Sequence, residues 1–338
     1  MLDTVVRIHD LRPRDVGEFF ALDPEFLRLI TSNREIAVDQ FLFFDIETTG
    51  LSRGPDNMIY LAGFGSIEDE RFEVRQYLIS DPIKEKDLIR KVIDEFHRKG
   101  LVITYNGKAF DLPVVEGRFR FYGYRYDFEF DHLDLLHIAR KLLPMEGFSL
   151  KRLETDRLGL YRQNDLPSGA IPGMFLRYLM EHDDHYSEQI LKHNEYDLLS
   201  MAYLLLEMNT AFIEQSDPRV VYRIGRLYER VKDYERARDY YELVMSQGID
   251  YELELLVMKR LAQLYKRQGE LDKAVELCQA LLSYNDPYPY LEMARHFERA
   301  KDYQSAIDLT LQAIDRFPKL KKKLEARLER LKRRYEQR

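Results

Sequence analysis

Residues 41–50 read FLFFDIETTG, an apolar run that ends in two carboxylates, two threonines and a glycine. An apolar run bounded by turn-forming residues indicates a buried strand. Alternate side chains of a strand share a face, so Asp45 and Glu47 project from the same side. Neighbouring carboxylates repel each other and lose hydration on burial, and a divalent cation is the usual compensation. The stretch therefore predicts half of a metal site.

The bulk composition is that of an ordinary globular protein with room for two domains. The 338 residues are 45% hydrophobic and 33% charged, which suits a chain with substantial cores. Cys278 is the only cysteine, so the chain has no internal disulfide and suits a reducing compartment. No secretory signal is visible in the first residues, and no run approaches the length of a membrane span. We therefore expect a cytoplasmic protein with no membrane segment.

The net charge limits the kind of nucleic-acid binding that we expect. A protein that coats a duplex is usually strongly basic, whereas this chain has a formal net charge of -7. An enzyme that holds one strand end through metal ions can be acidic overall, because the metals supply local positive charge. The charge therefore disfavours a simple coating protein and is compatible with a metal-dependent enzyme.

Hydrophobic periodicity predicts an α/β domain over residues 40–212. After the opening strand, strand-like runs occur at residues 58–65, 71–79, 101–105 and 130–133, and helical spacing occurs at residues 84–99, 108–123, 135–143, 149–158, 172–181 and 187–212. Three antiparallel strands followed by strand–helix alternation indicate a mixed sheet with helices on its faces. We predict that residues 1–39 form a helical N-terminal extension.

Residues 217–318 carry a repeat, which begins after the break at Asp217-Pro218. Small and aromatic residues recur in three sets at the same offsets: Gly225, Tyr228, Ala237 and Tyr241; Ala262, Tyr265, Ala274 and Cys278; Ala294, Phe297, Ala306 and Thr310. The sets are 37 and then 32 residues apart, near the roughly 34 residues of a tetratricopeptide helix pair. The pattern predicts an all-α domain of tetratricopeptide-like repeats.

Residues 319–338 form a basic segment with ten Lys or Arg residues and three Glu residues. Its leucines fall at helical spacing, which predicts a basic C-terminal helix. The interpretation that we prefer is a helix that caps the repeats and has a solvated charged face. The alternative is an arm that contacts phosphate groups.

Two later segments supply partners for the acids of the opening stretch. Asp111 follows a predicted strand and turn and lies in the first turns of a helix. His193 and Asp197 are four residues apart in a predicted helix and therefore share one face. That face carries an acid that can bind a metal and an imidazole that can accept a proton. Together these residues form the hypothesis of a complete site.

The three acidic motifs, in this order, resemble the exonuclease motifs of the DEDD 3′–5′ exonucleases of the ribonuclease H-like superfamily. The motifs are Asp45-Ile-Glu47 with Thr-Thr-Gly, residues 106–111 and residues 193–197. With Asp134-Leu-Leu, Ser149-Leu-Lys-Arg-Leu-Glu and the later repeats, the arrangement is similar to the bacterial YprB-like branch. The resemblance spans roughly residues 40–210 and implies a ribonuclease H-like exonuclease domain over residues 40–212.

The resemblance implies that phosphodiester bonds are hydrolysed by a two-metal mechanism. Asp45 would bridge two Mg²⁺ or Mn²⁺ ions, and Glu47 and Asp197 would complete the shell of one ion. Asp111 would act on the other ion, and His193 would orient or deprotonate the attacking water. One subtype of the family has His five residues before the last acid, and another has Tyr four residues before it. This chain has the histidine of one subtype at the spacing of the other.

The expected substrate is a single-stranded nucleic acid or a 3′ end, of DNA or RNA. Thr48 and Asn106 are the candidate nucleic-acid contacts, and Ser149 and Lys151 are candidates for the substrate path. The alternative function is a non-catalytic or weakly catalytic scaffold. In that case the helical repeats would bind a protein partner, as concave repeat surfaces commonly do.

Overall fold

The computed structural model describes residues 2–9, 21–31, 36–50, 52, 57–68, 71–125, 130–162 and 166–337 of the chain. It divides into two compact units, one formed by residues 1–215 and the other by residues 216–338. The division falls beside Asp217, whose side chain accepts a hydrogen bond from the backbone N–H of Arg219 and so caps the next helix.

The first unit is built on one mixed sheet. Its described strands are β1 (Leu2–His9), β2 (Phe41–Thr48), β3 (Ile59–Glu68), β4 (Arg71–Ile79), β5 (Leu101–Thr104) and β6 (Asp131–Asp134). The strand order is β1-β4-β3-β2-β5-β6. Strand β2 pairs antiparallel with β3 and parallel with β5, so it lies inside the sheet. The predicted mixed sheet is confirmed.

Helices flank this sheet in the first unit, and the described secondary structure of the second unit is helical. The described helices of the first unit are α1 (Pro24–Ile30), α2 (Glu85–Arg98), α3 (Asp111–Phe121), α4 (Leu135–Leu142), α5 (Leu150–Leu153, continued by a π-helical turn Glu154–Leu158), α6 (Ile171–Glu181) and α7 (Asp184–Glu214). Short 3₁₀ turns lie at Val38–Gln40, Pro82–Lys84 and Ser168–Ala170. Among the residues described, no helix combines the length and apolar character that crossing a membrane requires.

The prediction of a helical extension over residues 1–39 is wrong for residues 2–9. These residues form β1, which pairs antiparallel with β4 from Leu2 opposite Ile79 to His9 opposite Phe72. The physical reason is the free edge of β4, whose backbone groups form hydrogen bonds with another strand. Residues 24–30 are helical as predicted, and residues 10–20 of the predicted extension lie outside the described residues.

The pleat of β2 places the site acids on the face opposite Phe44. Phe44 lies on one face of the strand, fully buried, with its ring centroid 4.9 Å from that of Phe96 in α2. Because successive strand side chains alternate, Asp45 and Glu47 occupy the opposite face. Helix α7 contributes residues to that side, as the contacts of Asn194 with Asp45 show.

The second unit consists of paired helices, as the repeat predicts. The described helices are α8 (Pro218–Arg230), α9 (Tyr234–Met245), α10 (Tyr251–Gln268), α11 (Leu271–Leu281), α12 (Tyr288–Arg299), α13 (Tyr303–Arg316) and α14 (Lys321–Glu336). Gly225 of α8 lies so close to Tyr241 of α9 that an added Cβ would be 2.6 Å from the Tyr241 ring. The small residue in the first repeat set is therefore required for the close crossing of the pair.

The last described helix covers the end of the repeats. Helix α14 buries Leu324, Leu328 and Leu331, which pack in clusters with residues of α12 and α13. The charged side chains of α14 lie mainly on its exposed surface. This arrangement agrees with the preferred interpretation of a capping helix with a solvated charged face.

Candidate active site

Three elements that are distant in sequence bring the predicted site residues together. Strand β2 carries Asp45 and Glu47 near its end. Helix α3 begins with Asp111, and α7 carries His193 and Asp197 near its middle. Because β2 lies inside the sheet and α7 packs against it, side chains from the strand and the helix meet on one side of the sheet. The i and i+4 spacing on α7 aims both of its residues at that side.

The tightest group in the site joins β2 to α7. The Nε2 atom of His193 lies 3.7 Å from Oδ2 of Asp197 and 4.0 Å from Oε1 of Glu47. One ligand atom from each of these three residues lies within 4.8 Å of the others. His193 is buried, and its Nε2 also lies 3.4 Å from Oγ of Ser168. Two carboxylates and an imidazole thus face one small volume.

Asp45 is held by an asparagine that inspection of the sequence missed. The Nδ2 group of Asn194 donates a hydrogen bond of 2.7 Å to Oδ2 of Asp45. Gly63 lies opposite Asp45 in the β2–β3 pair, and a Cβ on Gly63 would be 2.0 Å from Oδ1 of Asn194. An isolated glycine inside a strand often marks such a close approach. Gly63 was therefore the sequence signal for this contact.

Burial and neighbouring charges raise the pKa of Asp45 well above its ordinary value. Burial is the main cause, followed by repulsion from Asp197, Asp111 and Glu47, and the hydrogen bond from Asn194 opposes it. Desolvation and like charges both disfavour a carboxylate. A bound cation would reverse both effects. The electrostatics of Asp45 are therefore those of an acid that lacks a counter-charge.

Asp111 shows the same behaviour at the start of α3. Its Oδ1 accepts a hydrogen bond of 3.3 Å from the backbone N–H of Ile46, which ties it directly to β2. Burial raises the pKa of Asp111 to about 7, backbone hydrogen bonds oppose the rise, and the charges of Asp134 and Asp197 add to it. Asp111 thus belongs to the same electrostatic group as the other acids.

Arg162 is the second residue of the site that sequence inspection missed. Its guanidinium forms ion pairs with Asp197 and with the buried Glu154, and it lies over the ring of Tyr196 at 5.5 Å. Burial raises the pKa of Asp197, and the charges of Arg162 and His193 oppose that rise. Arg162 follows no motif or periodic pattern, so no local signal in the sequence indicated its role.

The donor set fits a hard divalent cation. Mg²⁺ and Mn²⁺ prefer carboxylate oxygens, and Mn²⁺ also accepts imidazole nitrogen. The four predicted acids supply such oxygens, and a bound cation would favour the ionised forms of Asp45, Asp111 and Asp197, whose pKa values burial raises. Glu47, Asp197 and His193 are the residues whose ligand atoms already lie closest together.

The predicted nucleic-acid contacts lie at turns beside the site. The hydroxyl of Thr48 is buried and donates a hydrogen bond of 2.6 Å to the carbonyl of Gly50. Asn106 is exposed and adopts a left-handed conformation with φ of 63°. Its backbone N–H donates to Oδ1 of Asp134 at 2.9 Å, so Asp134 organises the turn that precedes Asp111. The roles of Thr48 and Asn106 remain predictions.

A cleft of about 230 Å³ opens onto the site. Its described lining includes Asp45, Tyr105, Ser149, Lys151, Arg162, Ser168, His193 and Asp197. The lining therefore combines catalytic candidates with two cations. Ser149 and Lys151, expected along a substrate path, both lie on this cleft, whereas Thr48 and Asn106 are not among its described lining.

Comparisons with known proteins match both units. A family model described as RNase_H superfamily matches residues 42–209, and two models described as Tetratricopeptide repeat match residues 218–246 and 257–287. The Bacillus subtilis (strain 168) protein named "Uncharacterized protein YprB" is 32% identical over 314 residues, which cover 88% of this chain and 75% of that protein. A DNA polymerase of Methanocaldococcus jannaschii is 27% identical over 97 residues, covering 22% of this chain and 6% of the polymerase. The prediction of tetratricopeptide repeats is confirmed.

Proposed function

Because this chain belongs to the RNase_H superfamily, in the branch that includes YprB, we propose that it is a metal-dependent 3′–5′ exonuclease. The observation that carries the proposal is the group formed by Asp45, Glu47, Asp111 and Asp197, in which burial and the charges of the other three acids raise the pKa of Asp45. Buried acids that repel one another destabilise a fold unless they serve a site. A metal-dependent phosphodiester hydrolase requires such a group.

Two Mg²⁺ or Mn²⁺ ions held by the four acids would lower the pKa of an attacking water and stabilise the departing 3′ oxygen. His193 accepts a proton beside them. Its Nε2 lies between Asp197 at 3.7 Å and Glu47 at 4.0 Å, and both carboxylates stabilise the imidazolium that a proton transfer produces.

Two cations of the cleft are suited to the phosphate groups of the substrate. Lys151 is exposed on the cleft, and the Nε of Arg162 donates a hydrogen bond of 2.8 Å to Oε2 of Glu154. Glu154 accepts from both Nε and Nη2 of the guanidinium, and the same Nη2 also donates to Asp197. Arg162 can exchange Asp197 for a phosphate oxygen without losing its buried partner, because a guanidinium has several donors.

The test uses a single strand labelled at its 5′ end, incubated with the full-length protein and Mn²⁺. We expect a ladder of products shortened from the 3′ end. Asp45→Asn keeps the shape of the side chain and removes its charge, and we expect it to lower the rate by about 100-fold or more. A phosphorothioate linkage at the 3′ end should block the reaction.

Asp184→Asn is the matched control, because Asp184 lies exposed in the first turn of α7, away from the cleft. We expect it to cleave at the rate of the unmodified protein. The proposal is wrong if Asp45→Asn cleaves as fast as the control. Internal cleavage, or shortening from the 5′ end, would contradict the 3′–5′ polarity.

A second candidate function is a scaffold that binds a protein partner, which the match to tetratricopeptide repeats favours. A groove in this unit is lined by residues that include Lys266, Leu271, Tyr288 and His296. A partner captured by the full-length chain should survive nuclease treatment and be lost in Leu271→Glu. That result, together with no metal-dependent cleavage, would favour the scaffold over the enzyme.

A further inference from the structure

Helix α14 separates its charges onto two flanks. Residues advance by about 100° around an α-helix, so the six basic side chains of one flank cover an arc of about 140°. This cationic flank consists of Lys322, Lys323, Arg327, Arg330, Arg333 and Arg334. The three acidic residues of the helix, Glu325, Glu329 and Glu336, lie on the other flank. That flank also carries Lys321 and Lys332, so its charges are mixed, whereas the charged residues of the cationic flank are all basic.

The buried leucines of α14 hold this flank toward solvent. Three of its arginines turn to a single carboxylate, Glu298 of α12, at 3.1 Å from Arg327, 3.4 Å from Arg330 and 2.9 Å from Arg334. Within the part of the chain that the structure describes, Lys322, Lys323 and Arg333 form no ion pair and are exposed. Glu298 therefore pairs with three of the six cations, and the other three remain without an ion pair among the described residues.

The crowding of cations has an electrostatic consequence at Arg327. Its pKa lies below the ordinary value, because burial, together with the like charges of Arg295 and Arg330, outweighs the attraction of Glu298 and Glu292. Like charges held close together repel one another and raise the free energy of the surface. A polyanion would remove that repulsion. The surplus is notable in a chain whose formal net charge is -7.

We propose that the cationic flank of α14 binds the phosphate groups of a nucleic-acid backbone. This inference rests on the proposed function, since it gives the nuclease a second, sequence-independent grip on its substrate. From Lys322 to Arg334 the flank is about 18 Å long, at 1.5 Å per residue. That length is enough to contact several successive phosphates of one strand. Charge without aromatic residues favours the backbone over the bases.

The test measures how the affinity for a single strand depends on salt. The full-length protein carries Asp45→Asn to prevent cleavage, and the probe is a fluorescent 20-nucleotide single strand without metal. We compare Lys322→Gln/Lys323→Gln with Lys321→Gln/Lys332→Gln. Both pairs remove two positive charges from exposed positions of α14. Lys321 and Lys332 lie near Glu325 and Glu329, at 3.9 Å and 3.7 Å, on the acidic flank.

Each phosphate contact on a single strand contributes about 0.7 to the slope of log affinity against log salt. We expect Lys322→Gln/Lys323→Gln to reduce the magnitude of that slope by about 1.4 and to weaken the affinity at 0.1 M salt by about 25-fold. The control pair should retain both. Equal slopes for the two variants would overturn the inference. It would also be overturned if polyglutamate displaced the probe as well as an unlabelled single strand does, because that result would point to an acidic protein as the partner.

The failure of the inference and the failure of the proposed function give different results. Metal-dependent cleavage by the unmodified protein tests the site on β2 and α7, whereas the salt slopes test the cationic flank of α14. If cleavage is absent and the slopes differ, the nuclease proposal is wrong and the inference that the cationic flank binds phosphates is retained. If cleavage is present and the slopes are equal, only the inference about the cationic flank is wrong. Thermal melting of each variant checks folding, and substitutions at exposed positions should leave the melting temperature nearly unchanged.

Discussion

Gly63→Ala should disturb the candidate site, because Gly63 lies on β3 opposite Asp45 of β2. Alanine normally stabilises a strand relative to glycine, by roughly 0.5–1 kcal/mol. Here the added Cβ would be 2.0 Å from Oδ1 and 2.7 Å from Cγ of Asn194. Both atoms belong to a fully buried side chain. Asn194 therefore cannot remain in place, and we expect Gly63→Ala to destabilise the protein rather than stabilise it.

The magnitude follows from the hydrogen bonds that Asn194 would lose. It accepts one of 2.8 Å from Nε2 of Gln76, worth about 1 kcal/mol between neutral groups. It donates one of 2.7 Å to Asp45, worth about 1.5–3 kcal/mol when the acceptor is charged. If Asn194 stays and the backbone yields, overpacking costs about 1–3 kcal/mol instead. We expect Gly63→Ala to lower the free energy of unfolding by about 2–4 kcal/mol.

Urea denaturation measures this loss in the first unit. Unfolding is followed by the near-UV circular dichroism of tyrosine, because the chain has no tryptophan. Gly173→Ala is the matched control, because Gly173 lies in α6 with open space around its Cβ position, and we expect it to raise stability by roughly 0.5–1 kcal/mol. Repeating Gly63→Ala in an Asn194→Ala background should abolish most of the cost. A loss that persists in that background would refute the clash as its cause.

Two further predictions concern buried groups away from the site. Glu85→Gln removes the counter-charge of the buried Arg118 and should destabilise the protein by about 3–5 kcal/mol in urea denaturation. Glu116→Gln, at an exposed pair on the same α3 helix, should cost at most about 0.5 kcal/mol, and equal costs would contradict the reasoning. Burial raises the pKa of the Cys278 thiol from 9.0 to about 11, so at pH 8 we expect native alkylation to be about 100-fold slower than in denaturant, because only the thiolate reacts. The native rate should rise about tenfold per pH unit below that pKa, and a rate that levels off near pH 9 would contradict the shift.

Local patterns in the sequence determined most of the fold and the identity of the acids. The apolar run before Asp45, the alternation that pairs it with Glu47, and the helical spacing of His193 and Asp197 each depend on residues within a few positions. Strand pleat and helix pitch convert such spacing directly into a shared face. The repeat sets of the second unit followed in the same way, because each helix pair requires small residues where its helices cross.

Only the tertiary structure decided how these pieces complete one another. Strand β1 became part of the sheet because the edge of β4, some 70 residues away, offered backbone partners. Arg162 reaches Asp197 across 35 residues and Asn194 reaches Asp45 across 149, and neither distance has a period that a sequence displays. The electrostatics of the site have the same origin. Carboxylates acquire raised pKa values only when folding removes water and gathers their charges.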